Sequence, residues 1–154
     1  MELHEWLRFV HISAAIVWVG GSVMLNAVLT RANRSQDRAA VAGLARELDW
    51  VGPLVIGPAA GVVIGVGIWL TLVEDEIAFS HTWIWSSLVL VGVSMVMGLG
   101  YFGPEGKRIG RIAAERGPED AEYQRRMDRL LVLGRLDLLI LAVVLWLMVF
   151  KPGA

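Results

Sequence analysis

The chain has 154 residues, of which 56% are hydrophobic and 19% charged, with a net charge of −1 and a mean hydropathy of +0.59. An ordinary soluble domain is about 45–50% apolar and about 25% charged, and a globule of 16.9 kDa has no core large enough to hide the excess. The chain has no cysteine, which excludes disulfide frameworks, iron–sulfur clusters and thiol nucleophiles; without a basic face free of acids a nucleic-acid partner is excluded too, and what remains is a protein of the lipid bilayer.

The gaps between charged residues divide the chain. Arg8 to Arg31 encloses 22 uncharged residues, Asp49 to Glu74 encloses 24 and Glu76 to Glu105 encloses 28, each longer than the roughly 20 apolar residues that cross about 30 Å of hydrocarbon as a helix. A fourth gap, Asp137 to Lys151, holds only 13. Leu130, Leu131, Val132, Leu133 and Leu136 precede it, so this span extends back past Arg135 and Asp137. The expectation is an all-α polytopic membrane protein, one antiparallel four-helix domain over 1–154 with spans at about 6–29, 52–73, 82–102 and 131–150. Twelve of the fourteen Lys and Arg residues fall in or beside the segments between the first and second spans and between the third and fourth, Arg135 lying just inside the fourth span, and only Arg8 and Lys151 fall on the other side. By the positive-inside rule both termini lie outside, and both basic loops are cytoplasmic. Residues 36–48 read as a short amphipathic helix at the inner surface. Gly117-Pro118-Glu119-Asp120 reads as a turn into a helix that runs through the fourth span to Phe150. No internal repeat is expected beyond the pairing of helices.

In the first span, His4, His11, Trp18 and Leu25 recur every seven residues and so share one helical face. Arg8, Ala15 and Ser22 widen that stripe, and Gly20-Gly21 offers a close approach for another backbone. With Trp6 at the interface, His11 lies a little over one turn inside the membrane, where an ionisable group is costly and faces the bundle. A neutral imidazole there suits a haem iron or another metal; an interhelical hydrogen bond is the structural alternative. His4 and His81 map to the outer surface with Glu74, Asp75 and Glu76, a set able to take a divalent transition metal or simply to form a solvated acidic rim.

The second span carries Gly57, Gly61 and Gly65, a doubled G-x-x-x-G that predicts a close helix–helix face within the chain or between copies. Trp83 and Trp85 are expected in an outer aromatic belt of the third span, with Ser86, Ser87 and Ser94 bonded along their own helix. In the fourth, Asp137 is too short to reach the interface. It is expected to join another helix through Asn26, Arg31 or Arg135 of a neighbouring subunit, with a place in a proton relay as the alternative.

The string from His11 to Gly21, H-I-x-x-x-x-x-W-x-G-G, preceded by Leu7-Arg8-Phe9, resembles the first helix of a bacterial group that includes the HemJ-type protoporphyrinogen oxidases and the copper-resistance CopD domain. It is most similar to a related family of four-helix predicted integral membrane proteins of unknown function, which also carry a Gly-Pro followed by basic residues after the third helix, here Gly103-Pro104 with Lys107-Arg108. The resemblance implies a bacterial inner membrane and a b-type haem on the first-helix histidine, which is His11 here. The haem pocket would be lined by Trp18 and Arg8, with a sixth ligand from His4, His81 or a second subunit. HemJ-type proteins have a lysine early in the third helix where this chain has Ser87, and that departure counts against the oxidase activity. The reading is therefore a redox or binding protein of the inner membrane, a homo-oligomer or a subunit of a complex. The alternative is a non-enzymatic accessory or small-solute transport protein whose polar residues only join helices.

Overall fold

The computed structural model describes residues 3–35, 43–44, 50–73 and 81–152, and within them every regular element is a helix. Most of the segment expected as a helix over 36–48, and the acidic residues Glu74, Asp75 and Glu76, lie outside the described residues. Helix α1 is Leu3–Ser35, α2 is Gly57–Val73, α3 is Thr82–Met97, α4 is Gly103–Glu115 and α5 is Ala121–Phe150. A π-helical turn, Gly52–Ile56, leads into α2, and a second, Gly98–Phe102, joins α3 to α4. Four continuous helical stretches are long and apolar enough to cross a membrane: Leu3–Arg34, Gly52–Val73, Thr82–Glu115 and Ala121–Phe150.

The 22 residues of the second stretch span about 33 Å at 1.5 Å per residue, close to the hydrocarbon thickness. The 34 residues from Thr82 to Glu115 reach about 51 Å, so this rod continues well beyond the bilayer. Helix α1 packs against α2 and α5, α3 packs against α5, and α2 and α3 touch only lightly.

The α3–α4 rod and α5 form one long antiparallel pair. Glu105 meets Arg126, Ser94 meets Asp137 and Trp83 packs with Leu147, so three turns down one rod match three turns up the other. Beyond the basic end of the bundle this pair becomes a helical hairpin. Its core is Ile109, Ile112, Ala113, Tyr123, Met127, Leu130 and Leu131, with Leu29, Ala32 and Phe102 against it. Lys107, Arg108 and Arg111 are exposed on the opposite face of α4. The turn uses Gly117 at φ 95°, a left-handed conformation that glycine adopts without strain. Asp120 then caps α5, its Oδ1 accepting from the backbone N–H of Glu122 (2.8 Å) and Tyr123 (3.2 Å). Two of the donors left over at a helix start are thereby satisfied. Arg126 donates to Glu105 (2.7 Å) and to Glu122 (2.9 Å), which ties α4 to α5.

The two π turns share a pattern: Gly52-x-x-x-x-Gly57-Pro58 and Gly98-x-x-x-x-Gly103-Pro104. In each the second glycine donates its N–H to the carbonyl of the first, five residues back. Proline has no N–H to give to the residue four before it, and widening the turn by one residue lets the helix continue through it. This is an internal repeat, contrary to the sequence expectation. Both copies sit at the basic end of their spans.

Candidate functional site

The stripe on α1 faces the bundle. Leu7 and Trp18 are buried and His4, His11 and Leu25 are half-buried, as the seven-residue spacing requires on a helix of 3.6 residues per turn. Arg8 departs from it and is exposed. His11 leans on α2. A Cβ built on Gly67 would stand 2.9 Å from the imidazole Cε1 and 3.4 Å from Nδ1, so only glycine leaves room for the ring. The same ring interacts with the backbone of Val63, one turn earlier on α2. Nδ1 itself is buried with no hydrogen-bond partner that satisfies the geometry. Gly21, two and a half turns along α1, meets Ile56 in the same way, with a Cβ falling 2.5 Å from Ile56 Cδ1. The pairs His11–Gly67 and Gly21–Ile56 keep one antiparallel register.

Trp18 is 5% exposed and packs with Ala59, Ala60 and Val63 of α2, Val91 of α3, and Leu141 and Val144 of α5. All four spans meet at this layer, one step deeper than His11. Ser87 is 1% exposed, and its hydroxyl donates to the Trp83 carbonyl of its own helix at 2.6 Å. His4 lies near the start of α1, and His81 immediately precedes α3. Among the described residues no three His, Asp or Glu side chains converge on a metal position; Glu74, Asp75 and Glu76, expected beside His4 and His81, lie outside the described residues.

Within the chain, among the described residues, no other helix closes on the Gly57, Gly61 and Gly65 face. Gly61 and Gly65 are exposed, a Cβ on either would meet nothing within 4 Å, and a Cβ on Gly57 would meet only the Gly52 carbonyl of its own helix. The buried face of α2 is Ala59, Ala60, Val63 and Gly67, and residues two positions away from these point about 200° around the helix. Within the chain the close approaches fall instead at Gly21, Gly67 and Gly134. Gly20 faces outward, with nothing near its Cβ position. Trp83 likewise differs from the belt expectation. It is 5% exposed, turned inward with the Lys151 ammonium 5.6 Å from its ring centroid, whereas Trp85 is exposed.

A second polar cluster lies nearer the basic end. Asp137 on α5 is 7% exposed, and its side chain bonds to Ser94 of α3, itself 3% exposed. One turn away on α5, the side-chain amide of Asn26 from α1 presses against Gly134, closer than any Cβ there would permit. Within the chain Asp137 interacts across helices with Ser94 rather than with Asn26 or Arg31. Sequence reasoning passed over Ser94 because a serine in a helix usually bonds to its own backbone, as Ser87 does.

A family model described as predicted integral membrane protein (DUF2269) matches residues 5–152. The chain belongs to that family. The match takes in all four spans and the hairpin, so the DUF2269 domain includes both polar clusters. No curated protein and no solved structure matches the chain at a significant level.

Proposed function

We propose that this DUF2269 protein is a cofactor-binding protein of redox type in the bacterial inner membrane, with a b-type haem as cofactor and His11 as its axial ligand. The observation that carries the reading is the imidazole fixed between α1 and α2, with a buried Nδ1 that no protein group satisfies and a glycine opposite that makes room for the ring. Buried polar atoms in native proteins normally have partners, and an orphan needs a reason. A ligating histidine needs one ring nitrogen for the metal and something to orient the other. Contact with Gly67 and the Val63 backbone holds the Nδ1 side of this ring against α2, so a metal would be taken by Nε2, the ring nitrogen farther from α2. When bound, the haem would supply one-electron chemistry, while the chain fixes the ring and excludes water through the Trp18 layer.

His4 lies near the start of α1 and His81 just before α3, so a second histidine ligand at the depth of His11 would come from another copy. This motivates the homo-oligomeric part of the proposal. The outward Gly61 and Gly65 face allows a second helix to approach closely. The His11 end is read as the outer leaflet because the basic residues gather at the opposite end. The resemblance of the first helix to the HemJ and CopD group supports the same site.

The experiment is an absorption spectrum with metal analysis of the full chain, made with ample haem and purified in detergent. A Soret band is expected, lost in His11→Ala with the helical content intact and retained in His81→Ala. A colourless, metal-free wild type would overturn the reading. It would favour the alternative of an accessory or small-solute transport protein, for which the existing contact of His11 with α2 is reason enough for the residue.

A further inference from the structure

We propose that Asp137, with Ser94 and Asn26 beside it, is a binding site for a monovalent cation inside the membrane. The proposal does not depend on the His11 reading. Fourteen residues separate Asp137 from Lys151 at the end of α5, about 21 Å along the helix axis. That leaves about 9 Å of a hydrocarbon layer of about 30 Å on the other side. At this depth the carboxyl group is almost wholly enclosed, and its Oδ1 has no partner. An ionised carboxylate without a counter-charge in such surroundings is strongly disfavoured, so something must neutralise it.

The elements around Asp137 offer no such charge among the described residues. From α3 it meets the hydroxyl of Ser94, and from α1 the nearby polar group is the uncharged amide of Asn26. The stretch Gly52–Val73 has no ionisable side chain. Arg135, two residues away on α5, and Arg31 on α1 are both exposed. The Glu105–Arg126 pair between α4 and α5 lies three turns toward the basic end. The neutralising cation therefore comes from outside the chain. One carboxylate matches one positive charge. The carboxylate of Asp137 and the hydroxyl of Ser94 are hard oxygen groups, suited to a proton or Na+ rather than to a metal that prefers nitrogen or sulfur. Gly134 belongs to the same arrangement, since a side chain there would expel Asn26 from the turn beside Asp137.

The test uses the full chain in detergent with dicyclohexylcarbodiimide, an apolar reagent that adds to a carboxyl group only while it carries a proton, and mass spectrometry of the peptide containing Asp137. In Na+-free buffer we expect labelling at Asp137 that is absent from Asp137→Asn and that falls about tenfold per pH unit above its midpoint. Added Na+, at constant pH and ionic strength, tells the two cations apart. Protection by Na+ identifies the metal ion as the occupant, and dependence on pH alone identifies the proton. Ser94→Ala keeps the carboxyl and removes its partner, and is expected to move the midpoint measurably while the protein stays folded. Labelling indifferent to both pH and Na+, or no labelling of Asp137 at any pH in Na+-free buffer, would overturn the proposal and leave Asp137 a fixed hydrogen-bond partner of Ser94.

Discussion

Adding a single methyl group at Gly67 separates the packing geometry of α2 from a general preference for small residues. A Cβ there would stand 2.9 Å from Cε1 of His11, whereas carbon atoms in contact prefer about 3.5–4.0 Å. The ring or the helix must therefore give by more than half an ångström. Overpacking of this kind costs about 1–3 kcal/mol, while exchanging glycine for alanine in a helix returns roughly 1 kcal/mol. Gly67→Ala is thus expected to lose about 1 kcal/mol net. Gly61→Ala and Gly65→Ala, whose new methyl groups enter open space within the chain, are expected to lose nothing in the monomer's own stability. His11→Ala removes the ring, so in that background Gly67→Ala should no longer destabilise, and the double-mutant cycle should give a coupling of about 1–2 kcal/mol. Reversible unfolding in mixed detergent micelles, followed by circular dichroism, measures each corner. The reasoning is refuted if Gly67→Ala behaves like Gly61→Ala, or if the coupling stays within the roughly 0.3–0.5 kcal/mol seen for independent sites.

Asp120→Ala removes the acceptor for the Glu122 and Tyr123 amides. It should cost about 1 kcal/mol, read as faster hydrogen exchange at the start of α5 with the membrane spans unchanged. Glu105→Gln weakens the 2.7 Å contact with Arg126 but leaves the Glu122 contact in place. A loss of about 1 kcal/mol is expected, at the low end for a charged hydrogen bond, visible as faster proteolysis near Gly117. If the basic end faces the cytoplasm, a reporter fused after Ala154 should be active only outside it; activity confined to the cytoplasm would reverse the orientation.

The sequence made the fold legible because hydrocarbon tolerates few charges. Intervals between Arg, Lys, Asp and Glu give three of the four apolar stretches, the leucines before Asp137 extend the fourth, and Gly117-Pro118 with Asp120 announces the break before the last helix. The inward face of α1 was legible for a different reason: this helix alternates polar and apolar residues, so a period of seven singles out His4, His11 and Trp18. Helix α2 offers no such contrast. It is apolar on every side, and a glycine ladder on its outer face looks in sequence like an interface, while its inner face is made of Ala59, Ala60, Val63 and a single decisive Gly67. Asp137 could be assigned to an interhelical contact from its depth, but the helix it would reach depends on the order in which the spans pack. The repeated Gly-x-x-x-x-Gly-Pro was written in the sequence too.

The placement of Trp18 bears on how the two polar clusters relate. His11 and Asn26 are fifteen residues apart on α1, about 22 Å along its axis, and the Trp18 layer lies between them. At that layer Trp18, Ala59, Ala60, Val63, Val91, Leu141 and Val144 form one buried apolar cluster drawn from all four spans. A water chain needs polar partners along its length, and apart from the single indole N–H of Trp18 these side chains provide none. His11 is therefore confined to the half of the bundle toward the chain termini, and Asp137 to the half toward the basic hairpin. A cation at Asp137 would be expected to exchange through the basic half, between α1, α3 and α5, without crossing the Trp18 layer. A group held at His11 would be separated by the same layer from that exchange. The large side chain of Trp18 is matched by the small Ala59 and Ala60 on α2, and this pairing closes the middle of the bundle while leaving a distinct chemical environment on each side.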